Sequence, residues 1–289
     1  MNPRSPHVIS FAYSAVGWTT PTDQDASRPV AISEVAMMLK DTGLDGVEGF
    51  GLFEPLTKDL NLAQSLREAG MGFSGAYASG SFVETERLEH EIEKFCISVD
   101  KIAELGGSTV VVGGGRIYPN ERERDWPIFI QTIKQLARIA HEKGVQFGYH
   151  PHKGTLVFTP EEIERFVKDT EDVADIVGLT LDTGHTAVGG GDVLAIFAKY
   201  HARTLHIHLK DVKRTEGATS FSEHDTFVPL GAGDLQIKDV IAAAWERGYR
   251  GWMTVELDAS KNALGDAIKG IENLRMWLDH LYIPNRLKM

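Results

Sequence analysis

One cysteine, Cys96, is all the chain has. No internal disulfide can form, which fits a reducing, cytoplasmic setting. Basic blocks are missing too: 30 Lys and Arg stand against 41 Asp and Glu, a net charge of −11. A chain so acidic, with no Lys/Arg cluster, is a poor partner for nucleic acid or for an anionic membrane surface. No apolar run approaches the ~20 residues that a bilayer-spanning helix needs. The opening "MNPRSPHVIS" has no apolar h-region, so no signal peptide is expected. There is no linker and no low-complexity tract, so residues 1–289 read as one domain. No Ser-His-Asp order or Cys-His pair stands out. "GGGR", Gly113 to Arg116, lacks the lysine–hydroxyl pair of a P-loop and the spacing of a dinucleotide fingerprint. Its glycines suit close approach of a ligand or a neighbouring loop. Cys96 itself lies beside a helical stripe and reads as core.

What is there is a recurring unit. A helix end, a glycine and a β-rich run follow one another in "KDTGLDGVEGF", "REAGMGFSGAY", "AELGGSTVVVGG", "HEKGVQFGYHP" and "WERGYRGWMTVEL". Gly43, Gly70, Gly106, Gly144 and Gly248 sit where a helix ends in a left-handed residue. The runs after them are short and apolar, as strands buried on both faces are. Between them, Leu88, Ile92, Phe95, Val99 and Ile102 keep helical spacing, as do Phe129, Ile133, Leu136 and Ala140. Adding "HVISFAY", "IVGLTLD" and "RTLHIHL" gives eight strands, over 8–13, 45–50, 72–77, 108–113, 145–150, 176–182, 203–209 and 252–257. Eight strands alternating with helices at this length predict an α/β fold, a (β/α)8 TIM barrel. Two connections are long, about 18 residues after strand one and roughly 25 after strand seven, and such loops are commonly lids or binding loops.

In a barrel the active site forms at the C-terminal ends of the strands. Strand five ends with His150 and His152. Strand six ends with Asp182, then His185. Strand seven carries His206 and His208, and strand eight ends with Glu256. Any one of these, taken alone, reads best as a core or surface residue. Four consecutive strand ends with metal-ligating side chains read as a site. Imidazoles with carboxylates suit Mn, Fe, Co or Zn better than Mg alone. Residues two apart on a strand share a face, so His208, nearer the mouth, is expected as ligand and His206 as a group behind it or in the core. Gly178 and Thr180, on the face of Asp182, are expected to leave space below it. Lys210 continues the line of His206 and His208 towards the mouth. Glu48, ending strand two, has an inward position. Tyr13, Trp18, Phe50 and Phe53 are candidate pocket walls, and Lys153 and Arg214 candidate substrate contacts.

The segments "GVQFGYHPHKGT", "VGLTLDTGH", "LHIHLKD", "PLGAGDLQIKDV" and "GYRGWMTVELD" resemble the xylose isomerase-like barrel superfamily, and most closely its inosose dehydratase branch. The likeness covers nearly the whole chain and is most specific over residues 144–258. It implies one divalent metal ion, Mn favoured among Mn, Co, Mg, Fe and Zn, held by His150, Asp182, His208 and Glu256. His150 departs from the glutamate of many isomerases, which weakens the case for proton shuttling between paired carboxylates. His185 resembles a histidine that contacts substrate in epimerases and acts as base in a related dehydratase. Endonuclease IV shares the fold and an Asp-x-x-His, but strand four here ends in Gly113 where that enzyme has a zinc-binding histidine.

The resemblance implies an enzyme of carbohydrate metabolism: a metal-dependent carbon–oxygen lyase dehydrating a keto-cyclitol or keto-sugar through an enediolate. His185 is the candidate base, because an imidazole titrates near neutral pH. His152, Lys210 or a metal-bound water are open choices for the acid. Glu48, Lys153, Arg214 and Trp18 are the expected substrate-binding residues. A ketose isomerase or epimerase on the same site is the alternative, as is elimination from a 3-keto-glycoside. A non-catalytic sugar-binding barrel is the weakest reading. Barrels of this type often pair, so a homo-oligomer is compatible with the chain, although only an ordinary terminal helix with Trp277 and Leu281 bears on it.

Overall fold

The computed structural model describes residues 9–19, 30–50, 54–115 and 121–288. Its strands are β1 (Ser10–Ser14), β2 (Gly46–Gly49), β3 (Gly72–Gly80), β4 (Thr109–Gly114), β5 (Gln146–Tyr149), β6 (Val177–Asp182), β7 (Thr204–Leu209), β8 (Asp211–Lys213), β9 (Thr226–Val228) and β10 (Trp252–Val255). Eight of them close in the order β1-β10-β7-β6-β5-β4-β3-β2, every neighbouring pair parallel. These are the eight strands read from the sequence, with ends shifted by a few residues, and β10 is the eighth. Val8 and Phe53 lie outside the described residues, as does Arg116.

The glycine punctuation has the expected cause. Gly43, Gly70, Gly106, Gly144 and Gly248 have φ of 78°, 67°, 72°, 71° and 70°. A side chain there would crowd the following carbonyl, so glycine ends each helix at least cost. The helices Thr85–Glu104 and Arg122–Glu142 turn their apolar stripes inward. Phe95, Val99, Ile102, Ile133 and Leu136 share one hydrophobic core with Val110, Val112 and Phe147 between helices and sheet. Cys96, next to Phe95, is half-buried rather than in the core, because it stands off the stripe. Among the described residues no helix is long and apolar enough to cross a membrane.

Inside the barrel one register row runs Gly72, Gly46, Ala12, Thr254, His208, Asp182. The large polar members are thus on one side and the small ones on the other. Below that row, Trp252 is level with His206. Its ring lies where a Cβ on Gly46 would be and close to that of Gly72, so two glycines make room for an indole that plugs the N-terminal end. Gly178 does not leave the space expected of it: a Cβ there would strike Leu205.

The long connection after β7 is not structureless. β8 and β9 pair antiparallel, Asp211 to Val228 and Lys213 to Thr226. Asp211 then gathers the returning chain, accepting hydrogen bonds from the backbone N–H of Val212, Gly231, Gly233 and Leu235 at 2.9–3.3 Å. Of the connection after β1, the described part includes a short helix, Val16–Thr19.

Candidate active site at the barrel mouth

Strand geometry sets the depth of each functional group. On β7, His206 is deepest, His208 is level with Asp182 of β6, and Lys210 follows at the strand's end. All three are fully buried. Asp182 ends β6 and opens the short helix Thr183–Val188, where its Oδ1 accepts from His185 N at 2.7 Å. One carboxylate oxygen thus caps a helix, and the cap fixes His185 over the barrel. Thr183 Oγ1 donates to Lys210 O at 2.7 Å and accepts from Lys210 N at 2.9 Å, tying β6 to β7 at the rim.

The groups converge. His208 Nδ1 lies 2.7 Å from Glu256 Oε2 and 3.8 Å from Asp182 Oδ2. Lys210 Nζ lies 2.6 Å from Glu256 Oε1, 2.8 Å from Asp258 Oδ1 and 3.5 Å from Asp182 Oδ2. It also donates to His185 Nε2 at 3.3 Å. The His150 ring is 5.1 Å from that of His208 and 5.7 Å from that of His185, while His152 and His185 are 3.8 Å apart.

Burial and neighbouring charge set the protonation states. Burial alone would raise the Glu256 carboxyl, but His208 and Lys210 hold it well below the usual range. Burial pushes Asp182 up, against the pull of Lys210. For Lys210, burial is outweighed by Asp182, Glu256 and Asp258, which keep the ammonium charged. For His208, burial is likewise outweighed, by Glu256 and Glu48, and its pKa is well raised. His185 goes the other way: burial and the Lys210 ammonium keep it neutral. Burial also lowers His150 and His152.

Six buried atoms at the centre lack an aligned hydrogen bond, among them His150 Nδ1, Asp182 Oδ2 and His208 Nδ1, although the last two are in ion-pair contact with Lys210 and Glu256 respectively. Buried polar atoms are nearly always satisfied, so such orphans call for an account. His150, Asp182 and His208 can each offer a ligand atom with all three within 4.8 Å of one another. Two imidazoles and a carboxylate, with Glu256 beside them, are a donor set for a first-row divalent ion. Two other groups also bring ligand atoms that close. Glu48, His206 and His208 are in direct contact, at 2.7–2.9 Å, with no gap between them. His150, His152 and His185 form the other.

Of the residues singled out from sequence, His150, His152, Asp182, His185, His208, Lys210 and Glu256 are brought together. Glu48 joins them from below, its carboxylate on the two β7 imidazoles. Trp18 is buried with its ring edge-on to Tyr13. Phe50 stacks on Tyr77, and Tyr77 meets His150 edge-on at 5.9 Å, so these do wall the site. Gly113 is glycine because the Tyr77 hydroxyl fills the place of its Cβ. Lys153 and Arg214 have their partners on the connection after β7. Lys153 Nζ donates to Glu223 O at 2.8 Å, and Arg214 lies over the Phe221 ring near Asp234.

Besides Tyr77, four neighbours were not read from sequence. Asp258 had a signal, since it shares the parity of Glu256 two residues before. Thr183 and Asp211 act through backbone partners, which a pattern of side chains does not show. Phe227, on β9, packs edge-on to His185 at 4.9 Å and under Lys210 Nζ at 4.9 Å. Its place depends on a hairpin with no sequence marker.

The chain is 29% identical to an inosose dehydratase of Geobacillus thermodenitrificans, over 92% of this chain and 96% of that one. Its fold matches the IOLI protein, solved with a zinc atom, at a TM-score of 0.73 and 17% identity, over 94% and 98% of the two chains. A probable 3-DHS dehydratase, AsbF of Bacillus anthracis, matches at a TM-score of 0.73 and 12% identity, over 92% and 99%. The model of the xylose isomerase-like TIM barrel spans residues 38–279, all of the barrel from just before β2 to the last helix. The closed parallel barrel and the match along its length agree: the chain belongs to the xylose isomerase-like TIM barrel family.

Proposed function

We propose that the chain is a divalent-metal-dependent dehydratase acting on a keto-cyclitol or keto-sugar, in the manner of inosose dehydratase. The observation that carries this is the convergence of buried ligand atoms on His150, Asp182 and His208, all within 4.8 Å of one another, beside Glu256 and a neutral His185. A divalent ion held there supplies Lewis acidity towards a ketone oxygen and its neighbouring hydroxyl, and Mn is the favoured ion.

The chain's own groups supply the proton traffic. His185 is neutral, and its Nε2 accepts from Lys210 in the resting site; that lone pair is released when Lys210 turns to the leaving hydroxyl. That nitrogen is the base for the proton next to the ketone. The β-hydroxyl must leave with a proton, and the Lys210 ammonium donates it; neutral His152 spends its Nδ1 proton on Lys153 O and is the weaker choice. One proton is taken, one is given, and water is lost. Phe227 and Tyr77 give the site apolar edges that limit access of bulk water. The likeness to inosose dehydratases along nearly the whole chain supports the substrate class. An epimerase needs a base on each face of the substrate, and a neutral imidazole at His150 in place of a glutamate does not favour that.

The test is incubation of Mn-loaded protein with 2-keto-myo-inositol and several ketoses. The expected result is a new enone-type absorbance, abolished by chelation and restored by Mn. A product of unchanged mass would overturn dehydration in favour of epimerisation or isomerisation, and full activity after chelation would overturn the metal's role.

A further inference from the structure

Glu48 starts on β2, paired with Ser14 of β1, and crosses the barrel to reach β7. The crossing is open because the register row beneath it, Gly46, Ala12 and Thr254, is small. A carboxylate 1% exposed at the centre of a barrel is costly unless it is paired. Its partners are specific. Oε1 is 2.9 Å from His208 Nε2, and Oε2 is 2.7 Å from His206 Nε2. Thr254 Oγ1 donates to Oε2 at 3.3 Å and also meets His206 Nε2 at 2.8 Å, which locks the carboxylate's rotation.

A metal-ligating imidazole is neutral, and a carboxylate at one nitrogen holds the remaining proton there and leaves the other nitrogen's lone pair for the ion. Glu48 engages His208 Nε2 in a hydrogen bond, while the opposite atom, Nδ1, faces Glu256 Oε2 at 2.7 Å and Asp182 Oδ2 at 3.8 Å, the carboxylates with which it would share an ion. We infer that Glu48 is a positioning residue: its carboxylate fixes the ring and tautomer of His208 so that Nδ1 is the metal-ligating atom. Glu48 then acts on the ion through His208 and needs no contact with substrate. His206 and Thr254 serve the same purpose one step further out, by holding Glu48. This rests on the metal centre proposed above and deepens it.

The experiment reads metal binding, not turnover. Calorimetric titration of Mn into metal-free protein compares the wild type with Glu48→Gln and Glu48→Asp. Gln keeps the size but offers an N–H that competes for the imidazole lone pair, and Asp is one methylene too short to span both rings. Loss of a group behind a metal ligand typically costs about 10–100-fold in affinity, and that loss is expected for both variants. A nitrogen-15 histidine spectrum of zinc-loaded wild type gives a second, substitution-free reading. It should show His208 ligated through Nδ1 and protonated at Nε2. Unchanged Mn affinity in folded variants, or ligation through Nε2, overturns the inference while leaving the metal centre standing. No Mn or zinc uptake by the wild type overturns both.

Discussion

Two walls of the barrel mouth differ in kind. Strands β5, β6, β7 and β10 deliver His150, Asp182, His208, Lys210 and Glu256, a wall of imidazoles, carboxylates and an ammonium. The opposite wall, from β2 to β4, shows Phe50 stacked on Tyr77 and a glycine at 113 shaped around the Tyr77 hydroxyl. Burial raises that hydroxyl to about 12, so it stays neutral. Chemistry is thus concentrated on one side and shape on the other. Glu48 is the exception, a charged group that starts on the shape side and is spent on the chemical side.

The comparison can be broken most sharply at Asp182. Asp182→Ala removes a metal donor, and turnover is expected to fall below detection in the dehydration assay. The same change removes the cap of the helix at Thr183, costing about 1 kcal/mol, so the melting temperature should drop modestly while circular dichroism still reports a folded barrel. Next is His185→Gln, which removes the base and keeps the ligands. Its kcat should fall by about 10²–10⁴-fold, with Mn affinity nearly unchanged. A matched loss of Mn affinity would place His185 among the ligands instead.

The pH profile sharpens the same point. The base must be unprotonated to act, and burial with Lys210 lowers the His185 pKa. The acid limb of kcat/KM should therefore fall below the ordinary histidine value of about 6.5. In the residual activity of Lys210→Met the limb should move up towards that value, because the ammonium is gone. On the shape wall, Gly113→Ala sets a methyl against the Tyr77 hydroxyl. Overpacking of this kind costs about 1–3 kcal/mol, so chemical denaturation should show lower stability with Mn affinity kept. The smallest effect is expected from Lys153→Ala. Its side chain is nearly half exposed and held by Glu223. Losing such a pair is worth about 0–1 kcal/mol, so KM should change less than about fivefold.

The chemical wall was far more legible in the sequence than its counterpart. A strand repeats every two residues, so His206, His208 and Lys210 declare a shared face without any structure. The five glycines that end helices declare the barrel's rhythm, since their left-handed φ is a local matter. Contacts that depend on chain crossing were not legible. Glu48 shows an inward position in sequence, but its partners lie three strands away around the barrel. Gly113 read as room for a ligand or a neighbouring loop, and the neighbour that fills it is Tyr77 of β3. Lys153 and Arg214 read as substrate contacts, and their partners on the connection after β7 were not visible in the sequence.

The indole of Trp252, packed against two glycines at the far end, fills the barrel interior there and leaves the site at the other end. Whatever enters must leave by the rim it came through, past Phe227 and Tyr77. A dehydrated product and the next molecule of reactant therefore compete for one doorway, and inhibition by product should be of the competitive kind.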